Sequence, residues 1–261
     1  MNCDTIVPLL GVDARLSSLF ISWINAKDLG HSSWRFPETH CFRGTPEDAA
    51  RVISDISRAL EHLAEHDIIH HDIKPANILY SQDEKGGVRG GAMLIDFGLG
   101  TQGGGEGNGK GEKRHNGGTP WYVPPEFLSD ARRIASEDVW ALGIVALYLL
   151  RLIPLPECGT LVKQWQLHDA AVPKSDSNQS MEKWLTIISG VVDKGFEAKM
   201  IEDGDGGEKE GDGGDDSKVG RRTMLNLYGI VKRMLHPKPF LRITPREIRV
   251  ALETLKGQSH G

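Results

Sequence analysis

The most regular pattern of apolar and polar positions covers residues 46–66. Apolar side chains recur there every three or four positions, which is typical of one face of an α-helix. These side chains are Val52, Ile53, Ile56, Leu60 and Leu63. Thr45 can cap the start of the helix with its hydroxyl, and Pro46 suits the first helical position. We therefore predict a long amphipathic helix over residues 46–66.

The longest apolar run predicts a different kind of helix. It extends from Val139 to Leu150 and contains 12 residues. A membrane-spanning helix needs about 20 apolar residues, so this run predicts a helix buried in a protein core and no membrane span. We place that helix at residues 137–151, with Ser136 as its cap. The other predicted helices lie at about 181–200, at about 222–235 and after the capping box of Thr244 and Glu247.

Short apolar segments bounded by turn-forming residues predict strands. Residues 5–24 contain two such segments around the turn GVDAR, and the segments NILYS and AMLIDF contain one each. Two glycine-rich segments interrupt the pattern. They cannot bury enough apolar surface to offset the entropy lost by an ordered backbone. We therefore expect residues 101–118 to be mobile and residues 202–220 to be disordered.

Charge and cysteine content restrict the possible partners and compartment. The net charge is −5, and residues 202–216 alone contain eight acidic residues and one lysine. The rest of the chain is close to neutral and has no basic stripe, so we expect no nucleic-acid partner. Cys3, Cys41 and Cys158 are too scattered to form a disulfide framework. This favours a reducing intracellular compartment, the cytoplasm or the nucleus.

A polar cluster between apolar flanks occupies residues 68–80, IIHHDIKPANILY. Three motifs follow it in order, IDFG at 95–98, VPPE at 123–126 and DVWALG at 138–143. Together the four motifs resemble the catalytic half of the eukaryotic protein kinase family. HHDIKPAN stands where that family has H-R-D-x-K-P-x-N, and the other three stand at its D-F-G, A-P-E and D-x-W-x-x-G motifs. One short motif is weak evidence, whereas four in the family's order favour its fold strongly. The resemblance extends over about residues 5–256.

The resemblance implies an α+β, protein-kinase-like fold. Residues 30–256 are expected to form the mainly α-helical C-lobe. Residues 1–29 are expected to form a remnant of the N-lobe β-sheet together with the hinge. Within the C-lobe, residues 101–118 correspond to the activation loop, and residues 202–220 are an acidic, glycine-rich insertion.

The resemblance also implies a role for each polar residue. Phosphoryl transfer requires neutralised charge on the phosphate oxygens and a substrate hydroxyl held in line. Asp72 is expected to accept the proton of that hydroxyl, and Lys74 to contact the transferred phosphate. Asn77 and Asp96 are expected to hold Mg²⁺, a cation that prefers oxygen ligands. The expected ATP-binding residues are Ile24, Ala26, Asn77, Leu79 and Asp96.

The expected activity is transfer of the ATP γ-phosphate to a serine or threonine hydroxyl of a protein substrate, with Mg²⁺ as cofactor. The lysine two positions after Asp72 and the tripeptide GTP before WYVPPE resemble the serine/threonine branch of the family. By the same resemblance His70, Asp138 and an ion pair between Glu126 and Arg242 have structural roles.

The sequence departs from the family at His71, where an arginine usually binds a phosphate on the activation loop. A histidine cannot form the bidentate fork of an arginine, so we do not expect switching by loop phosphorylation. We assign no metal-ligand spacing to the histidines outside the motifs, and we expect them at the surface or in packing.

The family's glycine-rich strand pair and phosphate-gripping strand lysine have no counterpart before the hinge. Lys27 is the first lysine, and Arg15 is the only basic residue before it. We therefore expect the chain alone to be an impaired kinase. Two alternatives stay open. The chain could be a non-catalytic, kinase-like binding module, or a truncated gene product completed by a partner chain that covers its open sheet edge.

Overall fold

The computed structural model describes residues 3–82, 90–102, 117–129, 134–195 and 216–257. The α-helices of these residues are α1 (Pro46–Glu65), α2 (Ser136–Leu149), α3 (Leu167–Ala170), α4 (Asp176–Gly190), α5 (Asp216–Met234) and α6 (Pro245–Gly257). The strands are β1 (Leu9–Asp13), β2 (Ser18–Ile21), β3 (Lys27–Asp28), β4 (Ile68–Ile69), β5 (Ile78–Ser81), β6 (Gly91–Leu94) and β7 (Thr101–Gln102). Helices dominate and the strands are short, so the fold is of the mixed α and β class that the sequence predicts.

The strands of the described residues form three small antiparallel sheets. These sheets are β1–β2, β4–β7 and β3–β5–β6. In the third sheet Ile78 pairs with Leu94, which are the first residue of β5 and the last residue of β6. The residue before β5 and the residues after β6 therefore meet at the same end of the β5–β6 pair. Asn77 and Asp96 lie at this end.

Helix α1 occupies the centre of the fold and starts where the sequence predicts. The Thr45 side chain accepts a hydrogen bond from the Asp48 amide at 3.2 Å, and Asp48 Oδ2 accepts one from the Thr45 amide at 2.7 Å. This reciprocal capping box satisfies amides that would otherwise lack partners. The apolar face of α1 packs against α2, α6 and β6. The helix predicted at 46–66 is confirmed, with Glu65 as its last residue.

Helix α2 is buried from Glu137 to Leu149 and packs against α1 and α5. This confirms the buried helix that the apolar run predicts. The prediction that Ser136 caps it is wrong. Ser136 is the first helical residue, the cap position belongs to Ala135, and Ser136 Oγ is buried without a hydrogen-bond partner in the described part of the chain.

The later helices follow the predictions with different limits. Helix α4 begins at Asp176, earlier than the predicted 181, because the Ser175 hydroxyl accepts a hydrogen bond from the Asn178 amide at 3.0 Å. Helix α6 has the predicted capping box, in which the Thr244 amide donates to Glu247 Oε2 at 2.8 Å.

The two glycine-rich segments lie largely outside the described residues, namely 103–116 and 196–215. At their described ends, residues 101–102 form strand β7. Residues 216–220, which we expected to be disordered, form the first turns of α5.

Strands β1 and β2 and their flanks, residues 9–23, form a feature that we call the exposed hairpin. Its large apolar side chains are Leu9, Leu10, Val12, Leu16, Leu19, Phe20, Ile21 and Trp23, and all are exposed. The backbone just before the exposed hairpin is fixed to strand β6, since the Val7 amide donates to the Leu94 carbonyl at 3.0 Å.

None of the helices in the described ranges combines the length and the apolar character that crossing a membrane requires.

Candidate active site

The segment between β4 and β5 contains the polar cluster of the sequence and is held in place by helix α2. The amides of His70 and His71 donate hydrogen bonds to the Asp138 carboxylate at 2.7 and 3.0 Å. Burial and, less strongly, the neighbouring Glu137 raise the pKa of Asp138 to about 7, although the two amides act in the opposite direction. Asp138 therefore anchors this loop to the core, as the resemblance implies.

The side chains of Asp72, Lys74 and Thr119 contact one another pairwise and form a closed ring. Lys74 Nζ lies 2.7 Å from Asp72 Oδ2 and donates to the Thr119 hydroxyl at 2.9 Å. The Thr119 hydroxyl in turn donates to Asp72 Oδ1 at 2.8 Å. Charge-assisted hydrogen bonds of this kind are among the stronger ones in proteins. The ring fixes the carboxylate through a residue that lies 47 positions later in the chain.

Asn77 is oriented by the same aspartate. Its amide nitrogen donates to the Asp72 carbonyl at 2.8 Å and to Asp72 Oδ2 at 3.1 Å. Both contacts use the NH₂ group, and the structure records no hydrogen bond to Asn77 Oδ1 from the described residues. The amide oxygen is therefore the atom that could ligate a hard cation.

Asp96 follows β6 and lies beside the backbone of Asn77. The Ile95 amide donates to the Asn77 carbonyl at 3.0 Å, which extends the β5–β6 ladder by one step. Asp96 has a φ angle of 64°, a left-handed conformation that is uncommon outside glycine and is concentrated at functional sites. Its exposed carboxylate accepts a hydrogen bond from the Gly98 amide at 3.1 Å. An amide oxygen and an exposed carboxylate suit Mg²⁺ by their chemistry.

His70 links the loop to the segment that contains Asp96. Its Nε2 donates to the Ile95 carbonyl at 3.1 Å, and its Nδ1 accepts from the Asp72 amide at 3.3 Å. The ring packs edge-on against Phe97 with the centroids 4.9 Å apart. Burial lowers the pKa of His70, although the Ile95 carbonyl and the charges of Asp72 and Asp96 act in the opposite direction. His70 is thus a neutral packing residue, as we expected.

His71 has partners that the sequence did not reveal. Its Nδ1 lies 2.5 Å from Glu137 Oε1, and its Nε2 lies 2.7 Å from the Thr101 hydroxyl. The residue has a φ angle of 68° and is buried. The side chain therefore connects the start of α2 with β7. The partners are 66 and 30 positions away in sequence, so no local pattern could indicate them.

Three of the residues expected to contact a nucleotide also lie together. Ile24, Ala26 and Leu79 border a small cavity of about 60 Å³ beside the β5–β6 pair, together with Met93 and with Asp55 of α1. Ligand pockets usually measure about 300–1,000 Å³. The hinge and the strand residues are thus brought together, but the described residues enclose only a fraction of the space that a nucleotide needs.

The ion pair implied by the resemblance is present. Arg242 Nη1 donates to Glu126 Oε1 at 2.6 Å, and Arg242 Nη2 donates to Glu126 Oε2. The guanidinium also lies over the Trp140 ring, with 5.1 Å between its carbon and the ring centroid. The pair joins the VPPE segment to the residues before α6 and touches none of the polar groups around Asp72.

Comparisons with known proteins agree with this geometry. The family model described as "Protein kinase domain" matches residues 24–251, and the chain belongs to the protein kinase family. The α+β kinase-like fold and the family resemblance are thereby confirmed.

Among the similar curated proteins are the calcium/calmodulin-dependent protein kinases type 1 of Caenorhabditis briggsae, Macrobrachium nipponense and Caenorhabditis elegans. Each is 34% identical over 107 residues, which are 41% of this chain and 28% of the relative. The aligned region thus spans less than a third of the length of these relatives.

Proposed function

We propose that the protein transfers the γ-phosphoryl group of ATP to a serine or threonine hydroxyl of a protein substrate. The observation that carries this proposal is the closed ring of Asp72, Lys74 and Thr119. A carboxylate, an ammonium group and a hydroxyl held in mutual contact fit a general base beside a site of negative charge. Membership of the protein kinase family supports the same reaction class.

In this proposal Asp72 accepts the proton of the substrate hydroxyl as that oxygen attacks the γ-phosphorus. The carboxylate is suited to the task because Thr119 and Asn77 hold its two oxygens in fixed directions. Lys74 already lies 2.7 Å from that carboxylate, so its ammonium group can contact a phosphate oxygen brought to the same place. These groups need little rearrangement before reaction, which is how preorganised charge lowers a barrier.

Asn77 Oδ1 and the Asp96 carboxylate are the proposed Mg²⁺ ligands. When bound, Mg²⁺ neutralises the charge on the phosphate oxygens of ATP. This assignment is supported by the backbone contact between Ile95 and Asn77, which brings Asn77 and Asp96 to one end of the β5–β6 pair. In the same proposal Ile24, Ala26 and Leu79 contact the adenine ring, since they border one cavity beside the hinge.

We also propose that the chain alone is a weak catalyst. Residues 1–26 contain no lysine, and the guanidinium of Arg15 pairs with Asp13 at 2.9 Å. The described residues therefore offer no phosphate-gripping cation above the nucleotide. Loss of one preorganised charge-stabilising group typically reduces a rate by about 10²–10³.

A second function, a kinase-like binding module or a kinase completed by a partner chain, is favoured by the exposed hairpin. Its apolar side chains lie on a two-stranded sheet with open edges, a surface that other chains can pair with. In that case the groups around Asp72 would be retained without turnover, or would act only when the partner is bound.

A phosphotransfer assay distinguishes these functions. The full chain is incubated with Mg²⁺ and γ-labelled ATP on a mixture of serine- and threonine-containing peptides, beside the variants Asp72→Asn and Asp169→Asn. Asp169 is a half-exposed surface residue whose carboxylate pairs, among the described residues, with His168 alone at 3.2 Å, so its variant is a matched control. We expect slow labelling by the wild type and the control, and a loss of about 10²–10⁴-fold in Asp72→Asn.

Equal labelling by wild type and Asp72→Asn would overturn the proposed base. Complete inactivity of the wild type, with no binding of Mg²⁺-ATP, would instead favour the binding module. Labelling of tyrosine-only peptides would contradict the proposed serine/threonine specificity.

A further inference from the structure

The last turn of α1 brings together three potential metal ligands outside the candidate active site. His62, Glu65 and His66 each offer one ligand atom, and these atoms all lie within 4.8 Å of one another. Residues three and four positions apart share a helix face, which explains the cluster. We predicted no metal-ligand spacing for the histidines outside the motifs, and that prediction is wrong for His62 and His66.

The tautomer of His66 suits metal binding. Its Nδ1 lies 2.8 Å from the His62 carbonyl oxygen, and because a carbonyl can only accept, Nδ1 must carry the proton. In a neutral ring, Nε2 is then the nitrogen left to bind a metal ion. Metal-binding histidines commonly donate their other ring N–H to a carbonyl in this way, which fixes the ring orientation. The rings of His62 and His66 lie with their centroids 4.4 Å apart and are tilted by 46°, so they are not stacked face to face.

The electrostatic surroundings also favour a cation. Helix α1 ends at Glu65, and the last carbonyl groups of a helix carry partial negative charge. Glu65 makes no hydrogen bond or ion pair with the described residues, so its carboxylate is available. Arg249 on α6, the helix packed against α1, is already paired with Glu61 and Glu253, each at 2.8 Å.

We propose that His62, Glu65 and His66 bind a divalent transition metal ion of the Zn²⁺ type. Two imidazoles and one carboxylate are a typical ligand set for Zn²⁺, with water in the fourth position. Bonds of about 2.0–2.1 Å require the ligand atoms to approach to about 3.3 Å, which movement of the partly buried His62 and the exposed Glu65 side chain towards the fixed His66 ring would supply. Mg²⁺ and Ca²⁺ prefer all-oxygen ligands and fit this site poorly.

The spacing His62-x-x-Glu65-His66 also matches a motif of zinc proteases. Here Glu65 and His66 are exposed at the end of a helix. We therefore infer a binding role for the site, in which Glu65 is a ligand rather than a base.

The proposed metal site lies next to contacts that join the end of α1 to strand β7. The Gln102 side chain donates to the His66 carbonyl at 3.4 Å, and β4, which begins two residues later, pairs with β7. Bound metal is therefore expected to stiffen the turn between α1 and β4. Slower hydrogen exchange of the amides in residues 64–69 on addition of Zn²⁺ would report this effect without any measurement of activity.

The test is a calorimetric titration of the full, chelator-treated chain with Zn²⁺ at neutral pH, repeated with Co²⁺ as a spectroscopic probe. We expect one ion per chain and tetrahedral Co²⁺ absorption. Replacement of either histidine by glutamine, His62→Gln or His66→Gln, should weaken binding by at least about tenfold, and the double variant should abolish it. Glutamine keeps helix propensity, so these variants preserve α1.

His168→Gln is the matched control, because His168 is an exposed histidine on another helix. Its affinity for Zn²⁺ should equal that of the wild type. The proposal fails if the double variant binds Zn²⁺ as tightly as the wild type, or if the wild type binds no ion with defined stoichiometry. A rise in Tm with Zn²⁺ but not Mg²⁺, lost in the double variant, is the expected second result. An equal rise in that variant would also overturn the proposal.

Discussion

Helix α2 and the exposed hairpin are both rich in apolar side chains, yet their surroundings are opposite. Leu142 in α2 is 0% exposed, whereas Leu19 in the hairpin is 67% exposed. Helix α2 has packed neighbours on every side, while the hairpin is a two-stranded sheet with two open faces. The difference shows that the apolar content of a segment does not by itself determine whether the segment is buried. Burial depends on which helices and strands pack against it. The polar groups around Asp72 are attached to the region whose packing is complete.

The largest effect is expected from breaking the buried ion pair beneath α2. Arg242→Ala leaves the Glu126 carboxylate without its partner and removes a guanidinium whose side chain is 0% exposed. Removing one partner of a buried pair typically costs about 3–5 kcal/mol. Urea denaturation should show this loss in the free energy of unfolding.

Arg233→Ala provides the control for that experiment. Arg233 lies 3.8 Å from Glu247, and both side chains are more than half exposed. An exposed pair of this kind contributes about 0–1 kcal/mol. Equal losses of unfolding free energy in Arg242→Ala and Arg233→Ala would contradict the expected difference between a buried and an exposed ion pair.

A pair of leucine variants compares the two regions directly. Leu142→Ala creates a cavity in the core and should cost about 2–5 kcal/mol. Leu19→Ala changes an exposed side chain and should alter the stability by no more than about 0.5 kcal/mol. Chemical denaturation measures both. A large loss in Leu19→Ala would mean that the hairpin is covered in solution, by a second copy or another part of the chain.

A smaller effect on stability is expected when the pH is lowered and His70 becomes protonated. Because burial lowers the pKa of His70 below its ordinary 6.5, the unfolded chain takes up a proton at a higher pH than the folded chain. His70 therefore contributes stability above about pH 6.5, and this contribution is lost as the pH falls from 6.5 through the lowered pKa. One linked proton changes the free energy of unfolding by at most about 1.4 kcal/mol per pH unit.

The measurement is the pH dependence of stability in the wild type and in His70→Gln. Asp138 has the opposite sign, because its pKa is raised from 3.8 to about 7 and its contribution falls as the pH rises through that window. Asp138 is present in both proteins, so the difference between the two curves isolates His70 to first order. Parallel curves between pH 5 and 7 would show that His70 does not titrate as proposed.

The smallest effect on stability is expected from addition of a nucleotide. Mg²⁺-ATP should raise the Tm of the full chain little, because the described residues border only a small cavity at the hinge and residues 1–26 supply no lysine. Thermal denaturation with and without Mg²⁺-ATP measures this. A rise of several degrees would show that this surface binds nucleotide well despite its openness.

Local features of the fold could be predicted from sequence because neighbouring residues determine them. Thr45 and Asp48 form a capping box three positions apart, and the apolar run after Asp138 is long enough for a buried helix and too short for a membrane span. The cap at Ser136 was mispredicted because tertiary packing, not the local motif, fixed where α2 starts. The order of the four motifs indicated the family, and with it the group around Asp72.

Long-range contacts account for what the sequence did not reveal. Glu137 and Thr101 approach His71 only because α2 and β7 are assembled around it. The cluster of His62, Glu65 and His66 is different, since its helical spacing was a visible signal within the predicted helix 46–66.

The Thr119 hydroxyl makes Asp72 sensitive to a distant part of the protein. Thr119 holds Asp72 Oδ1 only while the segment that contains it is docked against the loop between β4 and β5, whereas Asn77 and Lys74 contact Oδ2 from within that loop. Detachment of that segment, by local unfolding or by a bound protein, would free Asp72 Oδ1 and remove one hydrogen-bond partner of the Lys74 ammonium. The Thr119 hydroxyl thus makes the orientation of Asp72 depend on a contact between two distant parts of the chain.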